Sequence, residues 1–205
     1  MNGTLQNPRL HISGLTPGEC HPGKQGCSHA CYHILLLMSV CTWDRCAAVL
    51  CIDGEHHYTD GPPAAKLMES FQKRCDNQIT TLEILAISVG LSTFCDKLSG
   101  RKVVIFGDNT GAEASVRKGA SRAWDQCQLI HEIWTLVLYQ LCLCSFDNQQ
   151  VIALCQTLMQ HMHLWIERVS SEDNISDLPS REQYDLMYCL GAQWRSPTVA
   201  KLFLT

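Results

Sequence analysis

The chain has 205 residues, 46% of them hydrophobic and 18% charged, enough apolar material for one core and too little polar bias for wholesale disorder. Its formal net charge of −4 excludes a strongly basic nucleic-acid-coating protein, though not an enzyme that meets nucleic acid through metal ions and a local basic patch. The longest apolar run, Ile34 to Val40, is too short to span a bilayer, and Met1 is not followed by a basic region and an apolar stretch. No membrane association and an intracellular location, cytoplasmic or nuclear, are therefore expected.

Thirteen cysteines are many for this length. With no secretory signal, a disulfide framework is not expected. Six of the cysteines lie between Cys20 and Cys51. The spacing of Cys20, Cys27, Cys31 and His33 fits no common zinc finger or knuckle, and zinc is not expected either.

Residues 1–32 carry Pro8, Pro17, Pro22 and several glycines without periodicity, and read as an irregular or disordered lead-in. His33–Val40 and Cys46–Asp53 read as strands joined by a short connection. Asp53-Gly54 is a hairpin signal, with Glu55–Thr59 as the third strand. A short helical piece is expected over Ala64–Phe71. Ile79–Leu98 has helical period, with Leu82, Leu85, Ala86, Val89 and Phe94 near one face and Gly100 as its cap. Val103-Val104-Ile105-Phe106 is a short buried run after Gly100, a strand rather than a helix, ending in Gly107-Asp108-Asn109. A short helix to Lys118-Gly119 follows, then a longer one from Ser121 to Leu141. His163–Val169 reads as a fifth strand, and Pro179 opens a last helix to Leu190, closed by Gly191. An antiparallel meander followed by alternating helix and strand predicts an α/β fold: a mixed five-stranded sheet with helices on its faces. The expected domain is 33–191, with 192–205 as a tail.

An acid at the carboxyl end of a buried strand stands where open α/β sheets place their ligands, which singles out Asp108. Three stretches together then resemble the ribonuclease H domain that follows reverse transcriptase in retrotransposons. Thr81-Leu82-Glu83-Ile84-Leu85-Ala86 with Leu98-Ser99-Gly100 resembles that family's "E-x-L-A … L-x-G" helix. Val104-Ile105-Phe106-Gly107-Asp108-Asn109 resembles its strand ending in an acid. Asn174-Ile175-Ser176-Asp177-Leu178-Pro179-Ser180-Arg181 resembles its terminal "N-x-x-A-D-x-x-S-R". The match runs from about Ser39 to Leu190.

The resemblance implies a ribonuclease H-like fold and hydrolysis of the RNA strand of an RNA–DNA hybrid. It implies Glu83, Asp108 and Asp177 as catalytic and metal-holding residues for Mg²⁺ or Mn²⁺. Two such ions about 3.5–4 Å apart stabilise the attacking and leaving oxygens, and hard cations suit carboxylates. Each acid has a structural alternative: Glu83 as an exposed helix residue, Asp108 as a turn residue, Asp177 as a helix cap. The basic residues Arg101, Lys102, Arg117, Lys118 and Arg122 would face phosphates, or be a solvated face. No zinc spacing or basic helix supports a helix-based DNA-binding module.

The resemblance fails at two places. Val40 stands where the family has its first acid, and a valine cannot bind a metal. Asp44 falls in the connection after the first strand, and Asp53 is not at the family's position. Residues 142–161 interrupt the pattern as a cysteine-rich, apolar insertion. One or both of that insertion and the stretch Cys20–Cys46 are expected to be non-native coding, such as a retained intron or a misassigned exon. The alternative to an active enzyme is thus a catalytically impaired remnant of a retroelement polyprotein.

Overall fold

The computed structural model describes residues 34–63, 65, 68–69, 78–98, 101–142 and 165–198. These belong to one unit, Tyr32–Thr205. The proposed lead-in, the possible zinc cluster, most of Ala64–Phe71, Gly100 and nearly all of the 142–161 insertion lie outside the described residues.

The strands are β1 (Ile34–Cys41), β2 (Cys46–Ile52), β3 (Glu55–Gly61), β4 (Lys102–Gly107), β5 (Trp165–Arg168) and β6 (Gln193–Trp194). The helices are α1 (Ile79–Thr93), α2 (Cys95–Leu98), α3 (Thr110–Lys118), α4 (Trp124–Cys142), α5 (Asp177–Ser180) and α6 (Asp185–Cys189). The sheet order is β5-β4-β1-β2-β3-β6. β1, β2 and β3 are an antiparallel meander, while β4 pairs parallel with β1 and β5 parallel with β4. This is the mixed α/β arrangement, an antiparallel meander followed by alternating helix and strand, that the element order predicts. β1 is near the middle of the sheet, between β4 and β2, so the part of Cys20–Cys46 that forms it is integral to the fold.

The meander forms for local reasons. Asp53 and Gly54 have φ of 50° and 82°, the paired positive values of a tight hairpin turn between β2 and β3. Asn109 caps α3, its Oδ1 accepting from the Ala112 N–H at 2.9 Å, and Gly119 closes it at φ 72°.

Five expectations are corrected. The sheet has six strands rather than five, because β6 pairs parallel with β3 through His57 and Tyr58. Part of the expected 192–205 tail is therefore in the sheet, and the Arg195 N–H extends the contact by donating to Tyr58 O at 2.8 Å. The long helix breaks at Phe94 into α1 and α2. The expected last helix is two short ones, because Glu182 between them adopts φ 61°, which no helix continues through. Finally, α1 does not bury a single stripe: every residue from Thr81 to Thr93 is buried. The sheet face of β1 and β2 covers one side of it and α4 covers another, so both sides favour apolar residues.

Strand alternation sorts the two faces of the sheet. Leu37, Cys41, Ala48 and Leu50 join one core cluster with α1 and α4. Met38, Val40, Ala47, Val49 and Tyr58 are buried outside that cluster, on the opposite face. There α5 packs against β1, β2 and β3. Gly90 brings α1 onto the sheet: a Cβ there would stand 3.0 Å from Ala48 Cβ and 3.3 Å from both methyls of Leu37. Gly90→Val should therefore lower stability by about 1–3 kcal/mol through overpacking, read as a urea midpoint shift at unchanged slope.

A buried acid lies between α1 and α4. Glu132 accepts from Ser88 Oγ at 3.2 Å on one oxygen, and its other oxygen has no partner among the described residues. Burial pushes its carboxyl up to about 7, against the opposing hydrogen bond from Ser88. The folded state thus binds a proton more tightly than the unfolded chain. The associated stability is complete below the ordinary value of 4.5 and is lost as pH rises through about 7. Glu132→Gln should be more stable than wild type by about 2–3 kcal/mol at pH 8, with the difference closing toward pH 4. Urea unfolding across that range checks it; a difference independent of pH would refute the assignment.

Candidate active site

Because β1, β3, β4 and β5 run in one direction, their carboxyl ends share one edge of the sheet. Asp108 follows the last residue of β4 at that edge. Glu83 projects from the second turn of α1. Asp177 opens α5 on the other face. All three acids therefore approach one edge from three separate elements.

Glu83 is 6% exposed, which settles its structural alternative: it is not a surface helix residue. Its carboxyl is pushed up to about 8, first by burial and then by the negative charge of Asp108, with Asp177 adding in the same sense. The backbone N–H of Cys41, the last residue of β1, opposes this by hydrogen-bonding the carboxylate. Two acids predicted from separate motifs thus act on a third, Glu83. Asp108 is half-buried, and its Oδ2 accepts from Ser171 Oγ at 2.9 Å. Asp177 is also half-buried, and its Oδ2 pairs with Arg181 Nη2 at 2.7 Å, one helical turn on.

The supports of these acids join segments distant in sequence. The α3 amino end meets that of α1 at Gly111, where a Cβ would lie 2.9 Å from Thr80 Oγ1 and 3.2 Å from Asn109 Oδ1. Asn174 is buried and joins Asp177's turn to β1: its Nδ2 donates to Ser39 O at 3.3 Å. Its Oδ1 accepts from Ser176 Oγ at 2.6 Å and Ser176 N–H at 3.3 Å. The motif reading included Asn174 without a role; its role here is to hold Asp177's turn against the strand that carries position 40.

Val40 is buried at the penultimate position of β1, where the alignment placed it. Among the described residues, neither Asp44 nor Asp53 takes the place of the missing acid. Asp44 is exposed in the turn after β1. Asp53 is in the β2–β3 turn at the opposite edge, paired with Arg101 at 2.6 Å. That pairing also removes Arg101 from the proposed phosphate-facing group. Arg117, Lys118 and Arg122 are exposed on α3 and the segment after it, and Arg117 pairs with Glu113 at 3.0 Å.

Sequence reasoning missed Asp60. It is 6% exposed, and the register Val40↔Ala47↔Asp60 puts it on the same face as position 40, two strands away. Its carboxylate takes Arg45 Nη1 at 2.5 Å, Tyr184 Oη at 2.8 Å and Trp194 Nε1 at 2.9 Å. Arg45 also pairs with Glu182. Asp60 is therefore a fastening between the meander and the last segment of the chain rather than a spare ligand. A disulfide, Cys41–Cys46, joins the end of β1 to the start of β2, against the expectation from composition.

The donor set is of the right chemical kind for a hard divalent cation: carboxylate oxygens from three elements. The geometry is not closed. Among the described residues, no group of three or more His, Cys, Asp and Glu is arranged to hold a metal ion. Asp108 faces Ser171, Asp177 faces Arg181, and position 40 contributes no oxygen.

No family model matches the chain, and no curated protein matches it. Among solved structures it is similar to ribonuclease H1 from the halophilic archaeon Halobacterium salinarum, with a TM-score of 0.44 and 12% identity. That match covers 75% of this chain and 97% of the archaeal one. No helix among the described residues is long and apolar enough to cross a membrane.

Proposed function

We propose that the unit Tyr32–Thr205 is a ribonuclease H-like domain of retroelement descent, built to cut the RNA strand of RNA–DNA hybrids and now catalytically impaired. The mutual action of Glu83, Asp108 and Asp177 carries this reading. At the sheet edge the three carboxylates share, the Glu83 carboxyl is pushed up to about 8, first by its burial and then by the negative charges of Asp108 and Asp177. A divalent cation among them would reverse that balance. Mg²⁺ or Mn²⁺ would supply stabilisation of the attacking and leaving oxygens of the phosphodiester.

The chain's own residues would do the rest. Cys41 N–H and Ser171 Oγ orient Glu83 and Asp108. Asn174 holds Asp177's turn. Arg117, Lys118 and Arg122, all exposed, suit phosphate contacts with a hybrid recognised by backbone and 2′-hydroxyls. Impairment follows from Val40 and from the open arrangement of the remaining acids. The retroelement origin rests on the three sequence motifs occurring in order on the expected elements.

The test is hydrolysis of a labelled RNA–DNA hybrid with Mg²⁺ or Mn²⁺. Wild type should turn over slowly, and Asp108→Asn should remove what activity there is. Cleavage unchanged in Asp108→Asn would refute the site.

A further inference from the structure

The turn between β1 and β2 is braced more heavily than a four-residue connection requires. The Cys41–Cys46 disulfide closes it at its base. Thr42 N–H donates to Arg45 O at 2.9 Å, Thr42 Oγ1 donates to the same carbonyl at 3.1 Å, and Arg45 N–H returns a bond to Thr42 Oγ1 at 3.1 Å. The Arg45 side chain is tied to Asp60 and Glu182. At the tip of this fixed turn stands Trp43, with 45% of its surface exposed.

Nothing in the turn needs an indole. Tips of tight turns favour Gly, Asn, Asp and Ser, and an aromatic left in water gives up the burial that normally stabilises it. A rigid mount with an exposed aromatic is the arrangement that binds a flat ligand at small entropic cost. Trp43 is two residues beyond Cys41, the last residue of β1, whose N–H holds Glu83, so the turn that carries the indole lies at the same sheet edge as the candidate site. Its neighbour Asp44 is exposed and negative, which disfavours a phosphate as the ligand and leaves the uncharged face of a nucleobase.

We propose that Trp43 is a stacking platform for an unpaired nucleobase next to the cutting site. This rests on the nucleic-acid reading of the site. A base inside a duplex is already stacked on both faces, so only an unpaired one is free for the indole. The site therefore prefers a hybrid with an end, a nick or a short overhang over a continuous blunt duplex.

The experiment measures binding of two fluorescein-labelled hybrids by anisotropy in Mg²⁺, one blunt and one with a single-stranded overhang, intactness being verified on a gel. Wild type should bind the overhang hybrid more tightly. Trp43→Ala should weaken that binding roughly five- to hundred-fold and erase the preference, while Trp43→Phe keeps most of it. Trp165→Phe, at the amino end of β5, should leave both affinities unchanged. Matching unfolding curves for the variants exclude misfolding as the cause. If wild type binds with no preference, or Trp43→Ala binds as wild type does, the stacking proposal is overturned while the nucleic-acid reading stands. If wild type binds neither hybrid, both fall.

Discussion

Asp60→Ala should lower the folding free energy by about 3 kcal/mol, because Asp60 is the buried acceptor of three side-chain hydrogen bonds. Removing one partner of a buried ion pair leaves the other uncompensated, typically at about 3–5 kcal/mol. The Arg45 side chain is 25% exposed and keeps Glu182, which moderates the loss. Tyr184 and Trp194 each lose their hydrogen bond to Asp60, but both are partly exposed and water can replace it. Asp60→Asn, which keeps acceptor oxygen but not charge, should fall between the two. Glu182→Ala should change stability by under about 0.5 kcal/mol, because its carboxylate is well exposed. Urea unfolding of the three variants gives the order. An Asp60→Ala loss below about 1 kcal/mol would show that this network does not hold the last segment down. The variant also reaches the site, since α5, which Asp177 opens, begins the segment that Asp60 fastens.

Legibility in the sequence followed the range of the interaction. The β2–β3 hairpin and the α3 caps are set by neighbouring residues, Asp53-Gly54, Asn109 and Gly119, and could be read directly. Asp108 was legible because an acid ending an apolar run is a local pattern. Asp60 was not: its partners Tyr184 and Trp194 lie 124 and 134 residues away. β6 is two residues long and has no period to detect. α1 was read as amphipathic because periodicity cannot say that a second layer covers the outer face. The same limit left Glu83 open between surface and interior. The break in the last helix rests on the backbone of Glu182, a residue type that does not announce a left-handed conformation. The resemblance named Glu83, Asp108 and Asp177, and their electrostatic contact is a property of the fold that no spacing contains.

Val40→Asp should raise hybrid hydrolysis by about 100-fold or more over wild type in Mg²⁺ or Mn²⁺. Positioning and charge neutralisation supply most of the rate in phosphodiester chemistry, and displacement of the reacting groups by about 1 Å already costs about 100-fold. Position 40 lies on the sheet face that α5 covers, one residue before the N–H that holds Glu83. A fourth carboxylate there faces the same side as the element that Asp177 opens. Its effect without metal should be the reverse. Val40 is buried, and an added acid beside three that already repel one another should destabilise the fold. Divalent cation binding to the folded state alone should then restore stability with rising metal concentration. The variant is thus expected to melt below wild type in chelator and to gain more than wild type on addition of Mn²⁺. Asp108→Asn combined with Val40→Asp should abolish both the gain in rate and the metal-dependent gain in melting temperature. A Val40→Asp protein that melts normally, ignores Mn²⁺ and cuts no faster would mean that position 40 is not the missing ligand position. The alignment of β1 with the family's first acid would then be wrong, whatever the fate of the other three.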